Sequence, residues 1–133
     1  MLFVSTIGLE IDRLIYKYGS ISPLKALCFQ AIGTERVESL CDEFCSFIKK
    51  EYPFTTKRFS PGYSNIPLDM QKNIFNALKP EKLIGLTLND SLIMSPSKSV
   101  SAIIGVKSNN INCEKSLSKC ENCDNLDCLY RSK

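Results

Sequence analysis

Residues 22–48 read Ser-Pro-Leu-Lys-Ala-Leu-Cys-Phe-Gln-Ala-Ile-Gly-Thr-Glu-Arg-Val-Glu-Ser-Leu-Cys-Asp-Glu-Phe-Cys-Ser-Phe-Ile. Ser22 and Pro23 make a helix start, with serine at the N-cap and proline at N1, where a missing N–H costs nothing. Apolar residues then recur at Leu24, Leu27, Cys28, Ala31, Ile32, Val37, Leu40, Cys41, Phe44, Phe47 and Ile48. That spacing is the stripe of one long amphipathic helix, eased at Gly33, and it makes this segment the spine of the fold. Cys28, Cys41 and Cys45 fall on or near the stripe. Cys41 and Cys45 sit one turn apart and could share a metal, but free cysteine buried as a small hydrophobe is the stronger reading.

On the N-terminal side, Leu2 to Ile7 reads as a buried strand ended by Gly8. Glu10 to Tyr18 reads as a helix carrying Ile11, Leu14, Ile15 and Tyr18 and closed by Gly19. On the C-terminal side, Ile66-Pro67 opens a helix through Leu68, Ile74, Phe75 and Leu78 that stops at Lys79-Pro80. Ile84 to Leu88 and Ser91 to Met94 read as a short strand pair, and Val100 to Val106 as the clearest strand. Helices set apart from adjacent antiparallel strands give an α+β domain, an antiparallel sheet packed with the long helix.

Composition narrows the chemistry. The 133 residues hold no histidine, and the net charge is +3. The commonest general base and metal ligand is therefore missing. So weak a charge, spread along the chain and mixed with acids, argues against nucleic acid. No run reaches membrane-spanning length, and the apolar N-terminus lacks the basic region and cleavage site of a signal peptide. The expected location is cytoplasmic, where seven cysteines are thiols or metal ligands rather than disulfides.

Between the helices lies Lys57-Arg58-Phe59-Ser60-Pro61-Gly62-Tyr63, which has no periodicity and reads as a loop. Arginine offers a planar fork for a carboxylate, Pro-Gly sets a turn, and tyrosine adds a flat ring with a hydroxyl tip. The same residues also describe an ordinary solvated loop. Ser95 to Ser101, rich in serine, could bind phosphate or simply join two strands; it is not a P-loop, since neither the glycines nor the following helix is present.

Arg58-x-x-x-Gly62-Tyr63, followed by a helix and then Met94-x-Pro96-x-x-Ser99-Val100-Ser101-Ala102-Ile103-Ile104-Gly105, resembles the activation domain of cobalamin-dependent methionine synthase. The resemblance runs from about Ile7 to Lys107. It implies binding of S-adenosylmethionine, by an accessory subunit, for the reductive methylation of cob(II)alamin held on a partner. That partner is a cobalamin-carrying methionine synthase or another corrinoid protein, with an electron donor such as flavodoxin or ferredoxin. By the same resemblance, Arg58 pairs with the methionine carboxylate, Pro61 and Gly62 shape the turn, and Tyr63 lines the pocket or the cobalamin-facing side. Ser99, Ser101, Ile104 and Gly105 lie along the nucleoside. The family carries a segment before the first strand, including an acidic residue that holds the ligand, so residues 1–107 read as an N-terminally shortened form of that domain.

Residues 108–133 form a separate, polar, cysteine-rich tail. Cys113, Cys120, Cys123 and Cys128 stand among Asn, Glu, Lys, Ser and Asp, where core packing cannot explain them. Four thiolates at this spacing could close a zinc site or hold an iron–sulfur cluster, although the spacing matches neither a two-knuckle zinc ribbon nor the common ferredoxin runs. The alternative function is accordingly a metal-binding structural or interaction module.

Overall fold

A computed structural model describes residues 1–63 and 65–107 of the chain. Its elements are β1 (Leu2–Thr6), α1 (Glu10–Ile21), α2 (Pro23–Glu51), β2 (Thr55–Phe59), α3 (Met70–Leu78), α4 (Pro80–Leu83), β3 (Thr87–Leu88), β4 (Met94–Ser95) and β5 (Ser99–Val106). Among the described residues, β1, β5 and β2 form an antiparallel sheet in that order, and β3 and β4 form a small hairpin of their own. The α+β reading holds.

The spine runs the full 29 residues of α2. Ser22 closes α1, donating its N–H to Tyr18 O at 2.9 Å, and its own carbonyl accepts from Ala26 as α2 begins. The serine hydroxyl makes no capping bond, so Pro23 is what marks the break: it drives Ser22 into an extended conformation, φ −154° and ψ 90°. Gly19 does not end α1, which runs on to Ile21 until that proline stops it. Farther on, α3 begins at Met70 rather than Pro67. Met70, Gln71 and Lys72 donate to carbonyls three residues back, a tighter turn that precedes the α-helix.

The largest departure from the sequence reading is β2. Lys57, Arg58 and Phe59 of the supposed loop belong to a strand that pairs with β5, and the register slips between Thr55 and Arg58. A short edge strand with an irregular register has no clean alternation, and its periodicity is lost for that reason.

Along β5 the faces alternate. Ala102 and Ile104 face α2, where they join Phe3 and Cys41 in a buried cluster lined by Phe44, Cys45, Val100 and Val106. Ser101 points to the opposite face and meets Gln71 of α3, whose Nε2 lies 3.3 Å from its hydroxyl. Cys41 is fully buried and Cys28 is exposed. Burial pushes the Cys41 thiol up, opposed in part by its hydrogen bond with Ser5 and by the charge of Arg58. A raised thiol favours the folded state below the unfolded thiol pKa and withdraws that support as pH rises above about 8.5. Brief iodoacetamide labelling at pH 8 with peptide mapping should therefore modify Cys28 and spare Cys41 until denaturant is added.

Candidate functional site

The sheet is staggered, and the stagger makes a notch. β5 pairs with β1 over 99–103 but with β2 only over 103–106. On the β2 side, residues 99–102 of β5 have no strand partner among the described residues. β2 runs from Thr55, opposite Val106, to Phe59, opposite Ile103, so the chain leaves it toward the open end of β5. There Ser60, Pro61, Gly62 and Tyr63 make a turn in which the Tyr63 N–H donates to Ser60 O at 3.2 Å. Pro61 and Gly62 take the central positions, and Gly62 has φ +88°, as a type II turn demands of its third residue. The turn is tied back by the Gly62 N–H to Ile66 O at 2.9 Å. Pro61 is buried, whereas Tyr63 is 74% exposed and offers its ring to whatever approaches.

Arg58 lies opposite Ile104 and so projects on the α2 face of the sheet. Its Nη2 is ion-paired with Glu38, and its Nη1 lies 3.5 Å from Asp42 Oδ1. Nη1 is buried and makes no hydrogen bond. A guanidinium has five donors in a fixed fork; here Nη2 is engaged by Glu38 and Nη1 faces Asp42.

The other expected site residues are distributed along β5. Ile104 packs its side chain into the core, 1% exposed, and its N–H donates to Met1 O at 2.9 Å. The Gly105 N–H donates to Thr56 Oγ1 at 2.9 Å, and a Cβ there would lie 2.8 Å from Thr56 Cγ2, so only glycine fits without a shift. Ser101 is buried against Gln71, whose Oε1 has no hydrogen-bond partner. Ser99 donates to Pro96 O at 2.7 Å. It stands roughly 20 Å along the strand from Gly105, at about 3.4 Å per residue. Arg58, Ile104 and Gly105 thus gather at the middle of the sheet, the Pro-Gly turn and Ser101 lie beside the notch, and Ser99 marks its far end.

Three residues near these positions were not singled out by the sequence. Glu38 and Asp42 read as solvated helix face, and nothing in their spacing sets them apart. Gln71 carried a weak signal, because a polar residue three before Ile74 sits on the apolar side of α3. The metal candidates Cys113, Cys120, Cys123 and Cys128 lie outside the described residues. Among the described residues no group of three or more Cys, Asp, Glu or His side chains could hold a metal. No described helix is long and apolar enough to cross a membrane.

Comparison with known proteins bears on the family and the fold. The family model described as vitamin B12 dependent methionine synthase, activation domain, matches residues 2–115. A solved structure described as the MetH reactivation domain bound to AdoHcy superposes with a TM-score of 0.71 at 21% sequence identity. That match covers 85% of this chain and 40% of the solved one. At that identity it establishes the shared fold. No curated protein matches the chain.

Proposed function

Because the chain belongs to the activation-domain family of vitamin B12 dependent methionine synthase, we propose that it binds S-adenosylmethionine in the notch beside β2. It would present that ligand to a cobalamin-carrying methionine synthase for reductive reactivation. The observation that carries the reading is three features set within residues 58–63, where the chain leaves β2 toward the open end of β5. These are a guanidinium with a buried, unbonded Nη1, a Pro-Gly turn with positive φ, and an exposed tyrosine. The solved relative of the same fold, bound to AdoHcy, supports an adenosyl ligand joined through sulfur to an amino-acid arm.

The residues present fit such a ligand. Arg58 takes the methionine carboxylate in a charge-assisted hydrogen bond. Gly62, which tolerates φ +88° without strain, lets the turn backbone approach the ligand, and Pro61 holds that turn in place. Tyr63 covers the outward side of the ligand or faces the partner. By the family resemblance Ser99, Ser101, Ile104 and Gly105 lie along the nucleoside; of these, Ser99 stands at the open end of β5, while the Ser101 side chain is buried against Gln71 on the face opposite Arg58. When bound, S-adenosylmethionine supplies a methyl group on a sulfonium centre and the partner's cobalamin the acceptor, so this chain needs only to bind and orient. A protein with no histidine can do that.

Titration calorimetry with S-adenosylmethionine and S-adenosylhomocysteine is the test. Saturable binding of both at one site per chain is expected. No binding by a chain that melts cooperatively would overturn the reading.

A further inference from the structure

We infer that the free edge of β1 is an interface between two copies of this chain, in which β1 pairs with its own duplicate and joins two three-stranded sheets into one of six. The inference is independent of the adenosyl-ligand reading above.

The register shows which groups that edge presents. Ile104 donates to Met1 O and Ile7 donates to Lys98 O, so the odd-numbered residues of β1 turn their N–H and C=O toward β5. Leu2, Val4 and Thr6 turn theirs outward, where no strand partner lies among the described residues. Beside that edge runs a groove of about 320 Å³. Residues 2–5 are its floor; Leu40 and Phe44 of α2 wall it on one face of the sheet, and Leu78, Pro80, Leu83 and Ile84 on the other. Four consecutive strand residues can line one groove only when their backbone edge forms the floor, since side chains alternate between faces. Such a groove suits a strand. Proteins guard exposed edges with charge or proline, and the opposite edge, β2, carries Lys57 and Arg58. Residues 1–9 hold no charged side chain and no proline. This edge is unguarded.

Charge, register and area select a second copy as the occupant. Across a two-fold axis every charge meets its own duplicate; none of the ten residues lining the groove is charged, in a chain where 23% are. The strand is also self-complementary. With Val4 opposite Val4 of the copy, Leu2 faces Thr6, and the outward groups of all three residues close six hydrogen bonds. That axis stands perpendicular to the sheet, so the α2 walls meet on one face and the α4 walls on the other. Leu40, Leu83 and Ile84, which are 40%, 78% and 44% exposed, then cover one another. The edge measures about 17 Å along β1 and about 30 Å through both helix layers, a flat footprint of about 500 Å². With surface relief counted, it approaches the ~800 Å² that each partner gives to a standard interface. Residues 108–133 hold no stretch as apolar as β1 to lay there instead. The pairing leaves β2, with Arg58 and the Pro-Gly turn, at both outer ends of the joined sheet, so neither candidate site is covered.

Sedimentation equilibrium of the full chain, joined to hydrogen exchange followed by NMR, is the test. A mass of twice 15.0 kDa is expected at about 100 μM. The Val4 and Thr6 amides should be protected at that concentration and exchange freely after dilution to monomer. Val4→Pro removes an outward N–H without touching the ladder to β5, a place where an edge strand accepts proline. Leu83→Glu sets like charges face to face at a site exposed enough to leave the fold alone. Each variant should weaken dimerisation by about tenfold or more and still melt cooperatively. Should Val4→Pro fail to fold, Leu83→Glu and the exchange data decide. A chain that stays monomeric at about 100 μM overturns the inference. So does a monomer whose Val4 and Thr6 amides are protected all the same, since residues 108–133 would then cover the edge. A dimer that neither variant weakens, or whose Val4 and Thr6 amides exchange freely, runs through another surface and overturns it too.

Discussion

Arg58→Ala is expected to weaken S-adenosylmethionine binding by about 10- to 100-fold, because a hydrogen bond between charged groups contributes about 1.5–3 kcal/mol. Its effect on folding should be small. The pair with Glu38 lies at a partly exposed flank, and such pairs contribute about 0–1 kcal/mol. Glu38, half exposed, can turn to water once its partner is gone, so no uncompensated buried charge remains. Arg58→Lys should recover little affinity, because an ammonium is a point donor and cannot offer one edge to Glu38 and another to a carboxylate. Calorimetry with 5′-methylthioadenosine as the control separates recognition from scaffolding. Loss confined to ligands that carry the amino-acid arm places Arg58 at the carboxylate. Equal loss for methylthioadenosine would mean that the arginine merely holds β2 against α2.

The long helix was readable because its evidence is redundant. Eleven apolar positions and a Ser-Pro start agree over seven turns, and no single residue has to be right. β5 was readable for the opposite reason: it is central, paired on both sides, and its run of Val, Ala and Ile has no competing pattern. β2 failed both conditions. It is five residues long, lies at the edge and slips its register, so the sequence at Arg58 reads as a loop although Thr55, Thr56 and Phe59 are residues that favour strands. That error in local structure also concealed the acidic partners. A loop arginine has no defined face, whereas a strand arginine opposite Ile104 must project toward α2, and Glu38 and Asp42 are what it meets there. The arginine motif draws attention to Arg58, but only the strand register shows what surrounds it.

Ile104→Ala should cost about 2–5 kcal/mol of folding stability and leave ligand affinity unchanged for the molecules that remain folded. The family resemblance puts Ile104 along the ligand pocket, whereas the structure buries its side chain in the core. Its side chain is 1% exposed and packs with Phe3, Cys41 and Ala102 on the α2 face. Truncating it removes three carbons from a cluster built between one helix and two strands, and in so small a domain little can move in to fill the gap. Its backbone, which is what the proposed site uses, is fixed by pairing with Arg58 on one side and by the bond to Met1 on the other. Alanine leaves both in place. Denaturant melts should therefore show a lower midpoint with an unchanged slope, while the dissociation constant measured without denaturant stays at the wild-type value. A weakened dissociation constant in a fully folded variant would place the Ile104 side chain, not just its backbone, against the ligand. The core and the pocket would then be one structure rather than two faces of the same strand.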